Sequence, residues 1–180
     1  MTDTYSFFAF TDIFEEMQTS STPFHGCFGL LNIDGIPKPT YRAFQILHST
    51  GTDRIPVAIS ESPTLEVLAV KKDTEKLTII AFNHNIPLSP IKDEEAMLIV
   101  TGITDIKAAT LQRVDEEHCN PRKQWIEMGS PEYLRKEQLQ QLMEAAELKT
   151  ESIKSENTSE GVVFHVTVPP HGIAAITINL

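Results

Sequence analysis

The sequence predicts a mainly β protein whose C-terminal part, residues 64–180, is a β-sandwich. Three observations carry that reading. From Thr64 onward, apolar residues recur at alternate positions in roughly seven short runs. Turn-forming residues separate the runs at regular intervals, which suits a sandwich of antiparallel strands. Only two short stretches among these runs read as helix, one carrying Trp125 and one with Leu134, Leu139, Leu142 and Met143 on its face.

Taken in order, residues 5–10 read as a short buried strand rich in aromatics. Gln18 to Pro23 is a polar loop, and Gly26, Gly29, Gly35, Pro37 and Pro39 punctuate the next stretch. Pro39 stands at the first position of a helix with Ala43, Phe44 and Leu47 at helical spacing, and Gly51 ends it. Residues 52–63, broken by Pro56 and Pro63, read as a linker. Residues 65–72 and 76–85 form a predicted hairpin around Asp73, Thr74 and Glu75. Pro87 and Pro90 mark a loop. Strands are predicted at 96–103 and 107–115, with a turn near Thr104 and Asp105. Asn120 and Pro121 start a short helix, and Ser130 and Pro131 look like the cap and first position of the second. Strands at 148–155, 162–168 and 173–180 complete the chain, with turns at 157–161 and 169–172. The last is apolar at nearly every position, as a central strand covered on both faces should be.

Composition narrows the function. The chain has 180 residues, a formal charge of -10 and 41% hydrophobic residues, enough for a folded core. The acidic balance argues against nucleic acid and against an anionic membrane surface. No apolar run approaches the roughly 20 residues of a membrane span. Met1 to Tyr5 lacks the basic start of a signal peptide, and Cys27 and Cys119 make no disulfide framework, so a reduced, cytoplasmic setting is expected.

The chemistry concentrates between Phe7 and Phe44. The run FFAFTDIFEE places Asp12, Glu15 and Glu16 among Phe7, Phe8, Phe10 and Phe14, with Phe24 and Phe28 beyond them. Carboxylates beside aromatic faces suit a sugar, which offers hydroxyls at its edge and C–H groups on its face. His25, between Phe24 and Gly26, is expected to be a structural hydrogen-bonder. Asp115, His118 and Cys119 invite a metal or Cys–His reading, but no second pair stands at zinc-ligand spacing, so a structural turn with Asn120 capping the next helix is expected. Trp125 reads as a core plug, and Glu144 to Glu156 as a solvated face. No glycine-rich phosphate loop is present, since Gly26 and Gly29 lack the dinucleotide spacing.

Three consecutive motifs, Ser6 to Glu16, Phe24 to Leu30 and Ile36 to Phe44, resemble glycoside hydrolase family 39, the β-xylosidases, at the last barrel strand and the loop after it. Asp115, His118, Asn120, Pro121, Trp125, Gly129 and Pro131 resemble the family's C-terminal segment. The resemblance implies that residues 1–51 are the last strand, loop and helix of a (β/α)8 barrel, with the linker 52–63 and the accessory sandwich 64–180 behind them. It implies that Phe8, Glu15 and Glu16 line the sugar subsite of the intact barrel. It also implies that the catalytic acid and the nucleophilic glutamate lie upstream, so this chain alone holds no catalytic residue and should be inactive. No metal or cofactor is implied, and the partner would be a xylose-type saccharide. Phe8 departs from the family's usual Trp, which loses area and an N–H donor, and Cys27 departs from a usual Gly, which would strain the turn if φ were positive there. Two other readings stay open: a sugar-sensing module of an AraC-type transcriptional regulator, and a structural sandwich that self-associates through the exposed strand 5–10.

Overall fold

A computed structural model describes residues 6–13, 21–58 and 62–180. Twelve regular elements succeed one another among them. They are α1 (Pro39–Ser49), β1 (Asp53–Ile55), β2 (Leu65–Lys71), β3 (Lys76–Asn83), β4 (Glu94–Val100) and β5 (Ala108–Val114), then α2 (Pro121–Glu127), α3 (Lys136–Ala145), β6 (Thr150–Ser152), β7 (Glu156–Asn157), β8 (Val162–Val168) and β9 (Ile173–Asn179). The strands form a six-stranded sheet in the order β1-β2-β3-β9-β5-β6 and a three-stranded sheet in the order β4-β8-β7. All the pairings within both sheets are antiparallel. The mainly β sandwich with two short helices between its strands is therefore present.

Period-two alternation builds the sandwich core. Leu77, Ile79 and Ala81 of β3, Ala174, Ile176 and Ile178 of β9, and Ala109 and Leu111 of β5 face Val162, Phe164, Val166 and Val168 of β8. The other face of the large sheet is covered in part as well. Ile80, Val114 and Ala175 pack on its outer face with Ile46 of α1 and with Cys119. That second layer explains the nearly continuous apolar run of β9, which lies between β3 and β5 with cover on both faces. Asn83, fully buried at the end of β3, joins the layers: its Nδ2 donates to the carbonyls of Val168 at 2.9 Å and Lys92 at 2.8 Å.

A third cluster, Phe24, Ile36, Trp125, Leu142 and Ala146, joins the helical hairpin α2–α3 to the loop before α1. Trp125 is a core plug, 8% exposed, and its indole N–H donates to the Pro131 carbonyl at 2.9 Å. Asn120 caps α2, accepting from the Lys123 amide at 3.2 Å.

Four expectations change. Within the described part of 5–10, residues 6–10 form no regular strand; among the described residues, the Leu30 and Leu31 amides bond the Ala9 and Phe10 carbonyls, a contact too short for a ladder. The span 52–63, read as a linker, contains β1, which pairs with residues 69–71 of β2. The second helix begins at Lys136, because Ser130 (φ 55°) and the Pro131 carbonyl are used to close α2 and to bind Trp125. The predicted strand 148–155 splits into β6 on one sheet, while β7 just beyond it pairs on the other, so residues 150–157 cross between the layers.

Candidate functional site

The segment from Phe8 to Ile13 runs beside residues 28–31, held by backbone bonds. The Leu30 amide donates to the Ala9 carbonyl (3.0 Å), Leu31 to Phe10 (2.9 Å), and Asp12 to Leu31 (3.0 Å). The chain then turns back at 32–36. Asn32, fully buried, accepts through Oδ1 from the amides of Asp34 (3.0 Å) and Ile36 (2.8 Å), and Gly35 takes φ 77°. Burial raises the Asp34 carboxyl above its ordinary value, partly opposed by its hydrogen bond with Asn32. The Lys38 amide closes the turn on the Leu30 carbonyl at 2.9 Å.

At the centre of this frame is Asp12, with no exposed surface. Its Oδ1 accepts from the Gly29 amide at 2.7 Å and from Lys38 Nζ at 2.7 Å, and the same ammonium lies 2.6 Å from Oδ2. Lys38 Nζ also donates to the Cys27 carbonyl at 2.6 Å. One ammonium thus ties together the first segment, the loop and the start of α1, and a buried carboxylate requires such a partner. Gly29 is needed for the close approach: a Cβ there would stand 2.3 Å from the Thr11 carbonyl carbon and 2.6 Å from Asp12 Oδ1.

The frame presents aromatic side chains. Phe8 is 72% exposed and stacks on Phe28, with ring centroids 5.7 Å apart and planes 28° apart. Phe7 meets Phe44 of α1 edge-on at 5.4 Å. Of the three residues the sequence points to, Phe8 therefore lies on the surface of this loop cluster, while Glu15 and Glu16 lie outside the described residues. The turn after His25 carries its positive φ at Gly26 (86°) and not at Cys27, so the cysteine sits there without backbone strain.

The other singled-out groups have structural surroundings. Asp115 Oδ1 accepts from the amides of Glu117 and His118, both at 2.9 Å, and lies 2.7 Å from His118 Nδ1. Cys119 Sγ lies 3.2 Å from the Glu147 carbonyl, and its thiol is pushed up to about 11, chiefly by burial. No group of three or more His, Cys, Asp or Glu suited to a metal occurs among the described residues. The Nε2 of His25 is buried and has no hydrogen-bond partner among the described residues. Hollows lie elsewhere among the described residues. A polar one of about 270 Å³ is bordered by Arg113, Lys123 and Glu147, and an apolar one of about 460 Å³ lies between Ile46 of α1 and Phe82 of β3. Neither is lined by Phe8 or Asp12.

The residue pattern missed one member of this site, Lys38. Lys38 is 26 positions from Asp12 and stands between two prolines, where a lysine reads as solvated. Phe28 was legible only as one of several flanking aromatics. The spacing of Gly26 and Gly29 was the available signal, since glycines placed so closely mark tight turns and close backbone approach.

Comparison with known proteins gives concordant results. The model of the family described as glycosyl hydrolases family 39 matches residues 1–162. A β-xylosidase of Caldicellulosiruptor saccharolyticus is 47% identical over 178 residues, which are 97% of this chain and 36% of that protein. A β-xylosidase of Geobacillus stearothermophilus is 26% identical over 131 residues, covering 73% of this chain and 25% of its own length. The crystal structure of a monomeric β-xylosidase from Caulobacter crescentus CB15 superposes with a TM-score of 0.80 at 25% identity, covering 97% of this chain and 37% of that one. The chain thus spans little more than a third of the length of these relatives at most.

Proposed function

The chain belongs to family 39 of the glycosyl hydrolases, and on that premise we propose that it serves as the C-terminal part of a retaining β-xylosidase. In this reading residues 1–51 complete a (β/α)8 barrel, 52–63 connect, and 64–180 form the accessory sandwich. The substrate is a xylo-oligosaccharide from which terminal xylose is removed. The observation that carries the reading is the loop cluster itself: around a buried Asp12–Lys38 pair it presents a surface aromatic, Phe8, just ahead of two consecutive glutamates in the sequence.

Each residue has a chemical task. Phe8 offers an apolar face to the C–H side of the sugar ring. Glu15 and Glu16 accept charge-assisted hydrogen bonds from its hydroxyls, and such bonds tighten as oxocarbenium character develops. The acid and the nucleophile, which a retaining site holds roughly 5–5.5 Å apart, come from upstream barrel strands. No residue of this chain moves a proton or forms the glycosyl bond.

The xylosidases matched above support this reading over the module of an AraC-type regulator. We place the protein in the cytoplasm, with no nucleic-acid or membrane partner. No helix among the described residues is long and apolar enough to cross a membrane. Exposure of Phe8, Phe10 and Ile13 favours self-association through this segment when it is left uncovered, which light scattering across a concentration series tests.

The decisive experiment is hydrolysis of an aryl β-xyloside by the full-length polypeptide, with the anomer of the released xylose tracked by NMR. Retention of configuration is expected, and Glu15→Gln and Glu16→Gln should each weaken the reaction. A folded protein that neither cleaves the xyloside nor binds xylose overturns the proposal.

A further inference from the structure

We propose that Asp12 and Lys38 are positioning residues for the sugar platform, acting on Phe8 through Gly29 and Phe28; the proposal rests on the xylosidase reading above. The chain of contacts is continuous. Lys38 Nζ donates to Asp12 Oδ1 at 2.7 Å and to the Cys27 carbonyl at 2.6 Å, and lies 2.6 Å from Asp12 Oδ2 as an ion pair. Asp12 in turn holds the Gly29 amide at 2.7 Å. Cys27 and Gly29 are the two chain neighbours of Phe28, so the ion pair grips the backbone on both sides of that residue. Phe28 then backs the ring of Phe8 at 5.7 Å.

Burial makes this arrangement a poor candidate for mere surface decoration. Asp12 has no exposed surface, and the Lys38 side chain is 16% exposed. Burying a carboxylate is costly, and the pair sits at the foot of an exposed aromatic rather than inside any of the three hydrophobic clusters. Its geometry instead defines where one loop stands against one segment. A flat apolar ring that must meet a sugar face needs that kind of support, because a side chain on a loop is otherwise free to turn away.

The test uses the full-length polypeptide with xylose as the binding probe and an aryl β-xyloside as substrate. Phe28→Leu keeps an apolar side chain but removes the ring behind Phe8. It should weaken xylose binding and raise KM roughly three- to tenfold, the scale of one aromatic pair, with kcat changed less and the melting temperature near wild type. Lys38→Met should weaken binding at least as much, and Lys38→Arg, which keeps the charge, should recover most of it. Wild-type binding with Phe28→Leu and Lys38→Met both unchanged in Kd and KM overturns this proposal alone. A change in melting temperature with no change in Kd or KM also overturns it, since that is what a purely structural pair produces. A wild-type protein that binds no xylose sinks the xylosidase reading and this proposal together.

Discussion

Gly29→Ala is the sharpest probe of the loop cluster. Gly29 does not occupy the left-handed region, so conformational freedom is not what the site asks of it; space is. An added Cβ would meet the Thr11 carbonyl carbon at 2.3 Å, the Asp12 amide nitrogen at 2.4 Å and Asp12 Oδ1 at 2.6 Å. Two of these three are backbone atoms, so no side chain can swing away to make room. Overpacking of this kind costs about 1–3 kcal/mol. Moving the segments apart also loosens the Gly29 amide bond to a buried carboxylate, worth about 1.5–3 kcal/mol. The sum is roughly 2.5–6 kcal/mol, which for a chain of this size lowers the melting temperature by about 5–24 °C.

Gly102→Ala is the control. Its φ is 79°, and a Cβ there meets nothing within 4 Å, so only left-handed strain of about 1–2 kcal/mol applies. Urea unfolding of both variants, monitored by circular dichroism, gives the two differences directly. Hydrogen exchange at the Leu30 and Leu31 amides should speed up in Gly29→Ala and not in Gly102→Ala. If Gly29→Ala unfolds within about 1 kcal/mol of wild type, the close approach of the two segments is not what holds the cluster, and the reasoning fails.

Three further outcomes are expected from the packing. Asn83→Ala deprives the Lys92 and Val168 carbonyls of a shared donor and should cost about 2–3 kcal/mol in urea unfolding; a near-neutral result would mean the layers do not depend on that bridge. Trp125→Phe loses the indole bond to Pro131 and some buried area, for about 1–3 kcal/mol; as Trp125 is the chain's single tryptophan, wild-type emission should shift to the red when the α2–α3 hairpin opens. Cys119 has its thiol raised from 9.0 to about 11 by burial, so its contribution to stability is intact below pH 9 and is lost as pH rises toward 11. Cys119→Ala should flatten that alkaline decline, and alkylation of the folded protein at pH 8 should label the half-buried Cys27 before the buried Cys119.

Legibility in the sequence tracked how local each determinant was. The strands β8 and β9 matched their predicted runs closely because alternation and flanking turns are properties of neighbouring residues. Asn120 and Pro121 marked α2 for the same reason. The start of α3 was misplaced because Ser130 and Pro131 carry a helix-start pattern, while the structure spends them on ending α2. The segment 148–155 read as one strand because nothing local announces a change of sheet. At the site, the aromatic and acidic character of 7–16 was plain, yet the partner of Asp12 was not. A charge pair separated by 26 residues is a product of tertiary approach, and periodicity cannot report it.

The helix α1 has a practical consequence. Its Ile46 covers Ile80, Val114 and Ala175 on the outside of the large sheet, while Arg42 Nε donates to the Ala146 carbonyl at 2.6 Å. Anyone excising the sandwich at residue 64 as a portable module would strip a lid from that sheet and leave a greasy stripe facing water. A graft meant to stay soluble should either begin at Pro39 and carry the helix along, or recolour the stripe with polar residues at positions 80, 114 and 175.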